Sequence, residues 1–297
     1  GDVYKRQLTG CGSSADTTTD SGNTTTDAAP DATGDFDTSS DISVVSREDG
    51  SGTRGAFIEL FGVEEKDANG DKVDYTTDEA IIANSTEIVM TTVAGDDYAI
   101  GYSSLGSLND TVKAVKIDGA EPTADNINNG SYTISRPFNI ATKGDVSDVA
   151  QDFINYIMSA DGQQIIEDNG YIKASDAGAF ESNGASGKIV VAGSSSVTPV
   201  MEKLQEAYQK VNSGAEIEIQ ESDSTTGMTA AMDGTCDIGM ASRELKDTEI
   251  DGGLTATVIA KDGIAIIVNK NNPTEDLAKD QANSIFRGEV TTWDEVK

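Results

Sequence analysis

Three times in this chain a short run of β-forming residues passes through a turn of glycine and hydroxyl residues into a helical pattern. That recurrence constrains the fold more than any other feature. The first instance joins the apolar run 42–45 to a helix at 53–62 through Ser46-Arg47-Glu48-Asp49-Gly50-Ser51-Gly52-Thr53-Arg54. The second joins 188–191 to a helix at 198–211 through Ala192-Gly193-Ser194-Ser195-Ser196-Val197-Thr198-Pro199. The third joins 215–220 to a helix at 226–233 through Glu221-Ser222-Asp223-Ser224-Thr225-Thr226-Gly227. Strands that alternate with helices on this scale argue for an α/β protein.

The remaining elements follow the same rhythm. Strands are expected at 42–46, 98–103, 111–117, 132–142, 188–192, 215–221, 237–241 and 254–269, all rich in Val, Ile and Tyr. Helices are expected at 53–62, 77–84, 147–159, 161–168, 198–211, 226–233 and 275–286. Val200, Leu204 and Tyr208 fall four apart on one face, with Pro199 in the first turn. Val149, Phe153 and Tyr156 do the same, after Asp145 or Ser147 as N-cap. The stretch 181–188 reads as a flexible break between two structured blocks.

Charge narrows the function. Lys and Arg number 21 against 52 Asp and Glu, so the net charge is 21 − 52 = −31, and there is no histidine. A nucleic-acid partner is excluded, because such binding needs a basic face to displace counterions. Ser-His-Asp and Cys-His catalysis and His-bearing metal sites are excluded too. No cofactor motif or metal cluster is legible.

A strand, a glycine-rich turn and a helix start together aim backbone N–H groups and a positive dipole end at one place. Such a place suits a small oxyanion even within an acidic protein. Repulsion between exposed charges fades over about a Debye length, roughly 8 Å at physiological salt. Ser51 and Thr53 add hydroxyls, Arg47 and Arg54 add bidentate charge, and Asp49 is placed to orient an arginine. The serine turn offers Ser194, Ser195 and Ser196. The third turn offers Asp223 and Ser224, and the strand at 237–241 ends in Ser242-Arg243. The first turn is not a Walker A loop, since the Gly-Lys-Ser/Thr ending is missing.

Both cysteines are informative. Cys11 follows Leu8-Thr9-Gly10 as in a bacterial lipobox, and residues 12–42 carry seven Asp and no basic residue. Lipidation at Cys11 with a polar tether is therefore expected. Residues 1–7 contain no initiator Met and no apolar core of a signal peptide, so that peptide is inferred, not seen. Cys236 is expected to be a buried structural thiol.

Taken together, Ser46–Arg54, Gly193–Pro199, Asp-Ile-Gly-Met-Ala-Ser-Arg at 237–243, Ala-Ile-Gly-Tyr at 99–102 and Ile285-Phe286-Arg287-Gly288 with Trp293 resemble the phosphate-binding lipoproteins of bacterial Pst ABC importers. The resemblance covers about 42–297. It implies a two-lobed periplasmic-binding-protein fold of type II, each lobe a mixed sheet flanked by helices, with a hinge between. It implies inorganic phosphate as ligand, an ABC permease as partner, an extracytoplasmic, membrane-anchored, monomeric protein, and no catalysis. Phosphate contacts carry over onto Arg47, Ser51, Gly52 and Thr53 from one lobe and Ser195, Ser196 and Ser224 from the other. Asp49 matches the motif aspartate. Arg54, Ser194, Asp223, Ser242 and Arg243 are further possible contacts.

Two departures stand out. Some relatives end the strand after the third turn in Ser-Asp, whose carboxylate accepts the phosphate proton; here Ser242-Arg243 stands there. Asp49, Asp223 and Glu221 are the alternative acceptors. The order of blocks also differs: the serine turn comes near the start in the family, and the arginine loop follows the Trp segment. The chain therefore reads as a circular permutation. Its expected parts are a tether at 1–41, one lobe from 42–142 plus 257–297, and another from 143–256. Two rival readings stay open: the same fold holding sulfate or molybdate, or serving a sensory partner, and a phosphatase-like hydrolase with Ser51 or Ser195 as nucleophile.

Overall fold

The computed structural model describes residues 35–176 and 178–296. Cys11 and most of the expected tether lie outside the described residues. The chain from Phe36 onward forms one compact unit.

Strand β1 (Ser43–Arg47) leads into α1 (Gly52–Phe61). A small hairpin, β2 (Glu64–Lys66) and β3 (Lys72–Asp74), precedes the short strand β4 (Ile81–Ala83) and α2 (Thr86–Ala94). Next come β5 (Ala99–Ser104), the two-residue strands β6 (Lys113–Ala114) and β7 (Lys116–Ile117), and α3 (Ala124–Asn128). The long strand β8 (Ser135–Lys143) is followed by α4 (Asp148–Met158), α5 (Ala160–Asp168) and β9 (Ile172–Lys173). Then come β10 (Gly187–Ser194), α6 (Thr198–Val211), β11 (Ala215–Ser222), α7 (Ser224–Asp233), β12 (Ile238–Ala241) and α8 (Asp247–Asp251). The 15-residue strand β13 (Leu254–Val268), β14 (Asp276–Leu277) and α9 (Lys279–Phe286) complete the fold.

The main sheet runs β11-β10-β12-β8-β13-β5-β1-β4. At one end β10 lies parallel to β11 and β12, and β12 is antiparallel to β8. At the other end β1 lies parallel to β4 and β5. Strand β13 links the two. Its first part, Leu254 to Gly263, pairs antiparallel with β8, and its last part, Ile264 to Val268, with β5. Where β13 changes partner, Asp262 faces Arg136 across the ladder and their side chains form a buried ion pair at 3.1 Å.

Each half has its own core. In the first, Phe57 of α1 stacks on Tyr102 of β5 with ring centroids 3.9 Å apart, and Phe286 of α9 meets Phe57 edge-on at 4.6 Å. In the second, Phe153 and Tyr156 of α4 and Leu204 and Tyr208 of α6 cover Ile189, Val191, Ile217 and Ile238 of the sheet. The four-residue spacing of Val200, Leu204 and Tyr208 places all three on this buried face. Of the two candidate caps for α4, Ser147 is the one used, its Oγ accepting from Ala150 N.

The structure adds the short elements β2, β3, α3, β9 and α8 to those expected, and departs from the expectations elsewhere. No helix forms at 77–84. Ile81 and Ile82 are β-branched and pair with β1 as β4, while the helix starts after the N-cap Ser85 and buries Val89, Met90 and Val93. The expected strand 111–117 is split, with Val115 between β6 and β7. The helix expected at 275–286 begins only at Lys279, because Asp276 and Leu277 pair in parallel with β7. The stretch 181–188 is held rather than loose. Ser182 Oγ and Asn183 N donate to Asp152 at 2.7 and 2.8 Å, while the neighbouring Phe180 meets Tyr156 edge-on. Finally, Phe36, placed in the tether by composition, packs against Tyr98 and Trp293. Cys236 is buried, and burial pushes its thiol up to about 11, which suits an inert structural role.

Candidate anion-binding site

Arg47 ends β1, where the chain leaves the sheet toward α1, and is only 2% exposed. Its main-chain N–H donates to Tyr102 Oη at 3.0 Å, and Tyr102 Oη also meets Ser46 Oγ at 2.8 Å. Its Nε and Nη2 donate to the two carboxylate oxygens of Glu48, both at 2.7 Å. This bidentate, charge-assisted pair fixes the plane of the guanidinium. Nη2 also donates to Ser195 Oγ at 3.1 Å, and Nη1 donates to Thr86 Oγ1 at 3.3 Å.

Around this guanidinium the hydroxyls of the two halves hydrogen-bond directly to one another. Thr53 Oγ1 and Ser196 Oγ are 2.8 Å apart, and Thr86 Oγ1 and Ser196 Oγ 2.9 Å. Thr53, Thr86, Ser195 and Ser196 are all buried. Ser195 and Ser196 lie in the turn between β10 and α6, fixed by a bond from Ser195 N to Ser222 O at 2.9 Å. Gly193, with φ of 134°, makes that turn possible: a Cβ there would overlap the Met240 carbonyl oxygen.

Gly52 brings in the third turn. A Cβ at Gly52 would overlap Ser224 Oγ and stand 2.8 Å from Ser242 Oγ, so only glycine lets the arginine loop approach this closely. Ser224 Oγ accepts from Ser242 N at 3.0 Å, and Thr225 N donates to Gly50 O at 3.1 Å. The start of α2 and the turn before α6 thus meet at Arg47, while the starts of α1 and α7 meet each other through Gly52 and Ser224. Neutral N–H and O–H dipoles at such a place favour a small anion, and the guanidinium of Arg47, paired with Glu48, stands beside them.

The structure therefore brings together Arg47, Gly52, Thr53, Ser195, Ser196, Ser224 and Ser242. Ser51 adjoins them as the N-cap of α1, its Oγ accepting from Arg54 N at 3.2 Å. Ser194 is buried at the end of β10, and its carbonyl accepts from Thr198 Oγ1. Four predicted residues are engaged elsewhere. Asp49 has a 98% exposed side chain and pairs with Arg54, the arginine that it orients, whereas Glu48 orients Arg47. Arg54 is spent on Asp74, Asp49 and the Arg47 carbonyl. Asp223 caps α7, accepting from Thr226 N and Oγ1 at 2.8 and 2.6 Å. Arg243 forms a bidentate pair with Glu249 at 2.9 and 2.7 Å. The remaining alternative acceptor, Glu221, stands in the field of Arg47. Burial pushes its pKa up, Glu202 and Glu87 add to that, and Arg47 opposes them.

Sequence reasoning misses Glu48 and Thr86. The aspartate two residues after the arginine draws the orienting role away from Glu48. Thr86 carries a local signal, the N-cap Ser85 ahead of Val89 and Val93, but its neighbours Ser195 and Ser196 lie more than a hundred residues away in sequence.

Comparison with known proteins agrees with this geometry. Residues 27–161 and 178–297 match the family described as PBP superfamily domain. A Streptococcus agalactiae protein named phosphate-binding protein PstS 2 is 58% identical over 256 residues, 86% of this chain and 87% of that one. A crystal structure of the phosphate-binding protein of a phosphate ABC transporter from Streptococcus pneumoniae is 46% identical. It superposes with a TM-score of 0.69 over 87% of this chain and all of that one. A match this long in one stretch means that the blocks follow the same order in the S. agalactiae chain. The phosphate-binding protein PstS of Bacillus subtilis matches over only 139 residues, 46% of this chain and 42% of its own, at 35% identity. The chain belongs to the PBP superfamily and, within it, to the phosphate-binding PstS proteins of ABC importers.

Proposed function

We propose that this chain captures inorganic phosphate between two lobes outside the cytoplasm and hands it to an ABC permease. The observation that carries the reading is the buried guanidinium of Arg47, which donates to Thr86 at the start of α2 in one half and to Ser195 in the turn before α6 in the other. The names of the relatives point the same way. We take 42–142 plus 257–297 as one lobe and 143–256 as the other, with β8 and β13 as the connection about which they close. The role is binding and release, not catalysis. Anchoring through a lipid on Cys11 and a monomeric state belong to the same proposal.

The contacts Arg47, Ser51, Gly52, Thr53, Ser195, Ser196, Ser224 and Ser242 would hold the oxyanion. Hydroxyls both donate and accept, so they can match a protonated as well as a bare phosphate oxygen. Titration calorimetry of the purified chain with phosphate and with sulfate tests the reading; preference for sulfate overturns it. Arg47→Ala should weaken phosphate binding more than a hundredfold, equivalent to at least about 3 kcal/mol, because a charge-assisted donor pair is lost. Retained wild-type affinity in that variant would leave the loop as an ordinary capped turn.

A further inference from the structure

Thr86 was not among the residues expected to touch the ligand. It is the first residue of α2 and only 5% exposed. Its hydroxyl meets three groups of the proposed site: Arg47 Nη1 at 3.3 Å, Ser195 Oγ at 3.3 Å and Ser196 Oγ at 2.9 Å. Its main-chain N–H donates to Ser195 Oγ at 3.4 Å. One side chain thus bonds the arginine of its own half and both serines of the other.

We propose that Thr86 is an anion-contacting residue of this site, donating its hydroxyl to a bound oxyanion of the phosphate class. The proposal rests on the oxyanion reading of the site. An oxyanion that draws the Arg47, Ser195 and Ser196 hydrogens to itself takes away the partners of Thr86 Oγ1. A buried hydroxyl left unpaired is costly, and the group that displaced its partners is an acceptor within the same cluster. The hydroxyl then turns to the ligand. Packing alone does not call for it, since a methyl group would fill the same volume.

Thr86→Val removes the hydroxyl and keeps the shape; Thr86→Ser keeps the hydroxyl and removes the methyl. By calorimetry with inorganic phosphate, Thr86→Val should bind about tenfold to a hundredfold more weakly than wild type. Thr86→Ser should stay within about threefold of wild type. The rise in thermal midpoint that saturating phosphate brings should be smaller in Thr86→Val than in wild type, a result that a lower stability of the ligand-free protein alone would not give. If Thr86→Val does not fold, Thr86→Ala must show the same loss of affinity. Equal phosphate binding by wild type and Thr86→Val, or a Thr86→Ser as weak as Thr86→Val, overturns the proposal alone. A wild-type chain that takes up no phosphate overturns the oxyanion reading and this proposal with it.

Discussion

Gly52 has no side chain, yet much of the site depends on it. It sits at the first position of α1, directly against Ser224 and Ser242 of the other half. Gly52→Ala should therefore act as a wedge. The hydroxyls of the third turn and the arginine loop would be forced apart, while each half keeps its own core. We expect phosphate affinity to fall at least tenfold in this variant, with little change in the thermal midpoint of the ligand-free protein. An unchanged dissociation constant in calorimetry would show that the approach of the two turns is not needed for binding. Alanine is tolerated well in helices, so a loss here would report on contact between the halves and not on helix propensity.

Among the elements, α4 and α6 are tied to the segment between α5 and β10 by one carboxylate. Asp152 is buried and accepts from Asn183 N, Ser182 Oγ, Tyr208 Oη and Asn212 Nδ2. Burial raises its pKa, but these four donors outweigh it and leave the group below its ordinary value; burial and the same bond push Tyr208 up to about 12. A depressed carboxyl stabilises the fold fully above its unfolded-state pKa, and that contribution is lost as pH falls through the native value. Asp152→Asn should cost about 2–4 kcal/mol at neutral pH. In urea titrations the gap between wild type and variant should shrink as the pH drops below the ordinary carboxylate range. A gap independent of pH would refute the ionised clasp. The elements around Asp152 were legible because their signals are local: the Ser147 cap, and the spacing of Val149, Phe153 and Tyr156. The clasp itself was not, because Ser182 and Asn183 lie in a polar, glycine-containing stretch whose composition reads as loose. Composition registers the lack of apolar surface and is blind to a buried acceptor 30 residues upstream. The same limit hid the start of α2. Ile81 and Ile82 extend an apolar pattern that suits a helix as well as a strand, and only pairing with β1 decides between them. At the site, the glycine-hydroxyl turns were readable one by one, whereas the partner of Arg47 and the place of Thr86 depend on how the turns meet.

At the scale of the molecule, the two ends of the described chain lie side by side. Asp41 bridges to Thr292, Ile42 N donates to Thr291 O at 2.7 Å, and Phe36 packs on Trp293. Neighbouring ends would make the circular permutation expected from the sequence compatible with the fold, because sheet order and cores do not depend on where the backbone is opened. The net charge of −31 also reads differently at this scale. It argues against polyanions, but a small anion at the proposed site would meet Arg47 and oriented dipoles at close range. Strand β13 is shared by the two halves. Its 15 residues are divided between two ladders, so neither half can lose its sheet without stripping hydrogen bonds from the other. The two cores should therefore melt as one cooperative unit, with the fluorescence of Trp293 and the amide exchange of β10 to β12 reporting a single midpoint. Two separated midpoints would mean that the shared strand carries no such coupling.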